Sequence, residues 1–141
     1  MNFKNIHIGH LIKQRVKECQ IENPRICNFL KCTEEEIQEM YQAESLDSKV
    51  ILLWAKLLEY DFFRIYSQHL ILYSPANLDY IKTDEKEDTS LPRFRKNIYT
   101  KEIIGFILEQ INSKKMTKRQ VIERYKIPKT TLYKWLSKYN Q

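Results

Sequence analysis

Lys118, Arg119, Lys129, Lys134 and Lys138, interleaved with Thr130, Thr131 and Tyr133, are the residues of this sequence whose types and spacing suggest chemistry. That chemistry is anion recognition. Ammonium and guanidinium groups neutralise phosphate, hydroxyls donate to phosphate oxygens, and Thr and Tyr also pack against base edges. Residues 91–141 hold 13 Lys+Arg against 3 Asp+Glu, a net of +10, whereas residues 1–80 hold 9 against 11, a net of −2. The overall charge of +6 is therefore concentrated at one end of the chain. A basic segment of that density suits a phosphate backbone; its plain alternative is a solvated surface kept for solubility.

Other chemistries find little to work with. His7, His10 and His69 stand apart from any Cys-x-x-Cys pair, and Cys19, Cys27 and Cys32 lack zinc-finger or disulfide-framework spacing. The three cysteines read as reduced thiols of a cytoplasmic protein. Glu34-Glu35-Glu36 reads as a capped helix start, not as a paired acid and base. No catalytic residue, metal or cofactor is expected, and the chain reads as a binding protein, not an enzyme.

The elements that must position the basic residues are helices. With two glycines, Gly9 and Gly105, and four prolines, the sequence is too poor in turn residues for an all-β fold or a Gly-rich phosphate loop. An all-α chain of two small helical domains is predicted. In the first half, Ile8 to Gln20 places Ile8, Leu11, Ile12 and Val16 on one helical face. Asn23 and Pro24 read as the cap and first position of a second helix ending near Leu30. Thr33 and Glu36 form a capping box for a third, and Asp47 or Ser48 caps a long fourth helix through about Leu72. Charges at Lys56, Glu59, Asp61 and Arg64 make that apolar stretch a core or interface helix, not a membrane span.

The apolar rhythm lapses after Pro75, and Asp84-Glu85-Lys86-Glu87-Asp88 is an acidic run, so residues 75–97 read as a linker between domains 1–74 and 98–141. Beyond it, Thr100 caps a helix with Ile103, Ile104, Ile107, Leu108 and Ile111 inward. Thr117 caps a second helix burying Val121, Ile122 and Tyr125. After a four-residue turn, Lys126 to Lys129, Thr130 caps a third helix with Leu132, Trp135, Leu136 and Tyr139 inward.

Three short helices, the last two joined by a tight turn, match the homeodomain-like helix-turn-helix. The stretch Lys118-Arg119-Gln120-Val121-Ile122-Glu123-Arg124-Tyr125-Lys126-Ile127-Pro128-Lys129-Thr130-Thr131-Leu132-Tyr133-Lys134-Trp135-Leu136 resembles the DNA-binding segment of bacterial transposases and related invertase-type modules. The resemblance covers about 40 of 141 residues, and it departs from the pattern at Lys126, where many such turns place glycine. It implies sequence-specific double-stranded DNA binding, by a transcriptional regulator or by the targeting part of a mobile element. A carboxylate triad or a Ser or Tyr nucleophile in a larger catalytic fold has no place in this sequence. In the orientation implied, Thr130, Thr131 and Lys134 face base edges, and Tyr133 meets phosphate or a thymine methyl. Lys118, Arg119, Lys129 and Lys138 then lie along the backbone. Arg93, Arg95 and Lys96 stand where such modules carry a basic arm for the minor groove; a charge-balancing linker is the alternative.

Residues Ile8 to Tyr66 also resemble a known family. Ile8-Gly9-His10-Leu11-Ile12, the Pro24 helix start, Thr33-Glu34-Glu35-Glu36-Ile37 and Leu46-Asp47 are similar to the phage repressor (Cro/cI-like) fold. There the recognition helix would carry Glu34, Glu35, Glu36 and Glu39, whose charges oppose phosphate, so the reading is a retained fold without the DNA role. The crowded apolar surface of residues 48–72 suits either a homodimer interface, apt for paired half-sites, or a central core helix. Two competing functions remain beside DNA recognition. One is a protein-interaction adaptor whose basic end is a non-specific nucleic-acid anchor. The other is RNA binding, for which no aromatic stacking surface is evident.

Overall fold

The computed structural model describes residues 2–73, 90–92 and 99–139. Among them are eight α-helices and no strand, so the fold is all-α. The chain divides into two compact units, Asn2–His69 and Leu70–Gln141. The division falls five residues before the expected boundary at 74, inside the last helix of the first half.

In the first unit, α1 (Ile8–Cys19) packs on α3 (Glu34–Gln42) and α4 (Ser48–Leu58), and α2 (Asn23–Leu30) packs on the same two helices. The apolar spacing of α1 buries Ile8, Ile12 and Val16, and the other helices of the unit bury Ile26, Ile37, Tyr41 and Trp54. Burial of each such side chain is worth roughly 1.5–3 kcal/mol, which outweighs the weak intrinsic preference of Ile and Val for helix. The backbone of α1 meets the end of α3 directly: Ile8 N–H donates to Glu44 C=O and Gly9 N–H to Ala43 C=O, both at 3.1 Å. Gly9 permits this approach, because a Cβ there would collide with the Met40 carbonyl and stand 2.6 Å from that of Tyr41. The capping box of α3 is present, with Thr33 N–H donating to Glu36 Oε2 at 2.8 Å and Glu36 N–H to Thr33 Oγ1 at 3.2 Å.

Two local expectations change. The cap of α2 is Glu22, which makes no side-chain capping bond; Asn23 and Pro24 are the first two helical residues. The long fourth helix is two helices, α4 and α5 (Phe63–Tyr73). Glu59 takes the left-handed conformation, φ 48° and ψ 44°, and Tyr60 N–H closes back on Ala55 C=O at 3.1 Å. The Asp61 carboxylate then accepts from Phe63 N–H at 3.1 Å to start α5. Phe62, between the two helices, is buried at 1% exposure, as is Leu58 four positions before it.

In the second unit, α6 (Lys101–Asn112), α7 (Lys118–Tyr125) and α8 (Lys129–Tyr139) each pack on the other two. Ile103, Ile104, Ile107 and Leu108 of α6, Val121 of α7 and Leu132 and Trp135 of α8 are buried, as their spacing predicts. Ile122 and Tyr125 of α7, with Ile111 and Leu136, are half-buried at the edge of this core. Ile127, read from sequence only as part of the turn, is buried at 1% and plugs the junction of α7 and α8. Tyr139, expected inward, is exposed, because the last turn of α8 runs past the end of this small core. No helix among the described residues is long and apolar enough to cross a membrane.

Candidate nucleic-acid interface

Helix α7 starts on a second capping box. Gln120 N–H donates to Thr117 Oγ1 at 3.2 Å, and Thr117 N–H to Gln120 Oε1 at 2.8 Å. This fixes the direction in which Lys118 and Arg119, both exposed at the first two helical positions, leave the backbone. The helix ends at Lys126, whose φ of 53° and ψ of 38° place a non-glycine residue in the left-handed region. The turn therefore keeps the geometry that glycine usually supplies, at the position where the sequence departs from the transposase-like pattern. It spans three residues, Lys126 to Pro128, not four.

Thr130 does not cap α8. The first helical hydrogen bond runs from Leu132 N–H to Pro128 C=O at 3.1 Å, so Lys129 begins the helix and Thr130 is its second residue. Proline suits a helix start because its missing N–H is not needed there. The N–H groups of Lys129, Thr130 and Thr131 have no carbonyl of α8 to donate to, which leaves the positive end of the helix dipole facing outward.

The turn brings Lys118, Lys129 and Tyr133 together. The Lys118 Nζ lies 5.3 Å from the centroid of the Tyr133 ring and the Lys129 Nζ 5.7 Å from it, so one exposed tyrosine carries two ammonium groups from two helices. Each contact is worth roughly 0.5–1 kcal/mol at an exposed site, enough to bias the lysine rotamers without withdrawing either charge from solvent. Lys129 and Tyr133 are one helical turn apart and their proximity is legible in the sequence; Lys118 joins them only through the α7–α8 turn. Thr130 and Lys134 are exposed on α8 beside this cluster, whereas Thr131 is half-buried and less available than expected.

Arg119 is committed differently. Its Nε pairs with Glu123 Oε1 at 3.1 Å, one turn along α7, with both side chains largely exposed. Such a surface pair is weak and breaks readily when a phosphate competes. Lys138, near the end of α8, stands over Tyr139, its Nζ 5.4 Å from the ring centroid. The candidate arm residues Arg93, Arg95 and Lys96 lie outside the described residues. The chain just after them is anchored: the Tyr99 ring meets Trp135 edge-on at 4.8 Å, tying the approach to α6 to the inner face of α8. Burial pushes the Tyr99 phenol up from its ordinary pKa, and its hydroxyl is buried without a hydrogen-bond partner. Tyr125, on the core edge of α7, is raised chiefly by burial as well, against the opposing pull of Arg124.

Elsewhere the chemistry stays sparse. Among the described residues no group of three or more His, Cys, Asp or Glu side chains is placed to hold a metal ion. Helix α3 of the first unit presents Glu34, Glu35, Glu36 and Glu39 to solvent. No family model matches the chain, and neither a curated protein nor a solved structure matches it.

Proposed function

We propose that the chain binds double-stranded DNA sequence-specifically through α6–α8, acting as a helix-turn-helix. It would be a non-catalytic transcriptional regulator or the targeting protein of a mobile element. The observation that carries this reading is the convergence of Lys118 and Lys129 on Tyr133 at the outward start of α8. Two ammonium groups and an open helix N-terminus form a surface of one sign, sized for a phosphate backbone. Thr130 and Lys134 then face the groove, and the acidic α3 takes no part. This role belongs in the cytoplasm, where the chain's three thiols stay reduced.

The reading extends to a homodimer that presents two such modules to paired half-sites. The interface proposed lies in segment 48–72, where Leu52 of α4 is an exposed large apolar residue at 48% exposure. Light scattering on the full chain tests this: Leu52→Glu shifts the parent dimer to monomer, and a monomeric parent removes the dimer from the account.

Selection of the full chain against a random duplex pool tests DNA recognition. Enrichment of a defined motif is the expected result. Uniform, salt-sensitive retention of every sequence would replace it with the adaptor reading, in which the basic end is a non-specific anchor.

A further inference from the structure

We infer that Cys27 and Cys32 are a dithiol modification site, closing to an intramolecular disulfide by exchange with a low-molecular-weight disulfide. The geometry comes from the end of α2. Lys31 is left-handed, φ 52° and ψ 53°, and the N–H groups of Lys31 and Cys32 both donate to the Cys27 carbonyl, the latter at 3.2 Å. This is the helix-ending motif that brings the side chains four positions before and one position after the left-handed residue to the same side of the helix end, and here both are cysteines. Cys27 and Cys32 are each partly exposed, so a small disulfide reaches them, while Cys19 closes a different helix, α1.

The surroundings fit a pair that is kept close but unbridged. Burial, and then the proximity of Cys27 and Glu36, push the Cys32 thiol up, so Cys32 rests protonated and acts as the resolving thiol, not the attacking one. Tyr41, raised by burial and by the nearby Cys32, is 4% exposed, and its hydroxyl has no hydrogen-bond partner. That hydroxyl is a donor free to meet a sulfur anion as it forms.

The exchange balances with the small disulfide as oxidant. The Cys27 thiolate attacks one sulfur of R–S–S–R, forming a Cys27–S–S–R bond and releasing RS⁻, which takes up a proton. Cys32 gives its proton to solvent, attacks the Cys27 sulfur and expels the second RS⁻. Two protein thiols are oxidised to one disulfide, and one small disulfide is reduced to two thiols. The product links the end of α2 to the residue preceding the Thr33 cap, making the first unit responsive to the thiol poise around it. Nothing in this depends on DNA binding by the second unit.

Oxidised glutathione, titrated into the full chain with thiol counting, intact mass and peptide mapping, tests the site. The parent is expected to lose the Cys27 and Cys32 thiols to a Cys27–Cys32 peptide without glutathione on either, reversed by dithiothreitol, whether or not Cys19 takes up glutathione. Cys19→Ser should fall from two thiols to none. Cys32→Ser should stop at a stable glutathione adduct on Cys27, since the resolving thiol is gone. Three thiols persisting in the parent, a stable adduct on Cys27 or Cys32 of the parent, a bridge to Cys19, or a bridge between chains would each overturn the inference.

Discussion

Replacing Lys118 or Lys129 with alanine removes one ammonium group from the Tyr133 cluster and leaves the fold intact, because both side chains are exposed and neither makes a hydrogen bond or ion pair with a described residue. The two ammonium groups come from different helices to one ring, and in the DNA-binding reading proposed above each meets its own phosphate. Each phosphate contact contributes about 0.9 to the slope of log affinity against log salt for duplex DNA. Each single variant should therefore lower that slope by about 0.9, and the double variant by about 1.8. Between 50 and 200 mM salt, one lost contact takes a factor of about 3.5 out of the fall in affinity, and two take about 12. Fluorescence anisotropy with a labelled duplex over that salt range measures it directly. A double variant with the parent slope would mean that the cluster does not touch DNA. A double variant no different from either single would mean that both lysines share one phosphate.

Lys134→Ala should narrow the gap between selected and random duplexes at fixed salt, by about 1–3 kcal/mol if Lys134 reads a base edge, whereas Lys118→Ala weakens all sequences alike; competition binding separates the two. The two glycines should respond in opposite directions. Gly9→Ala forces a methyl against three carbonyls at the end of α3 and should destabilise the first unit by about 1–3 kcal/mol, whereas Gly105, where an added Cβ meets nothing within 4 Å, should gain roughly 0.5–1 kcal/mol on changing to Ala. Thermal melts check the pair, and a Gly9→Ala variant as stable as the parent would contradict the packing described. Burial raises the phenols of Tyr41, Tyr66, Tyr99 and Tyr125. The folded chain thus holds these protons more tightly than the unfolded one; the stability is complete below about pH 10 and falls as pH rises through the folded values. A melting temperature unchanged between pH 9 and pH 11 would contradict this. Tyr41→Phe, which deletes a buried hydroxyl without a partner, should leave stability equal or higher at neutral pH.

Much of the fold was legible because its signals are local. The capping box at Thr33–Glu36, the Thr117 cap and the spacing of Ile103, Ile104, Ile107 and Leu108 act within one or two helical turns, and the helices form where those patterns place them. The errors fall at helix ends. Residues 48–72 carry helical periodicity throughout, yet Glu59 takes a left-handed turn and the Asp61 carboxylate starts a new helix. Pro128 displaces the start of α8 from Thr130 to Lys129, since a helix can begin behind a proline without losing a donor. At the candidate interface the sequence identified Lys118, Lys129 and Tyr133 one by one. Lys118 and Tyr133 are 15 positions apart, and no periodicity within a single helix joins them; only the α7–α8 turn does. The juxtaposition of Cys27 and Cys32 was hidden likewise, because their spacing matches no motif and acquires meaning only from the left-handed Lys31.

The claim on which the functional account turns is that the outward start of α8 enters the DNA groove. Amide chemical shifts of the full chain, followed as a duplex from the selection is added, test it residue by residue. The account predicts that the largest changes fall on Lys118, Arg119 and Lys129 to Lys134, with α3 unmoved. Shifts centred on α3, or a spectrum that does not respond to duplex even at low salt, would contradict it.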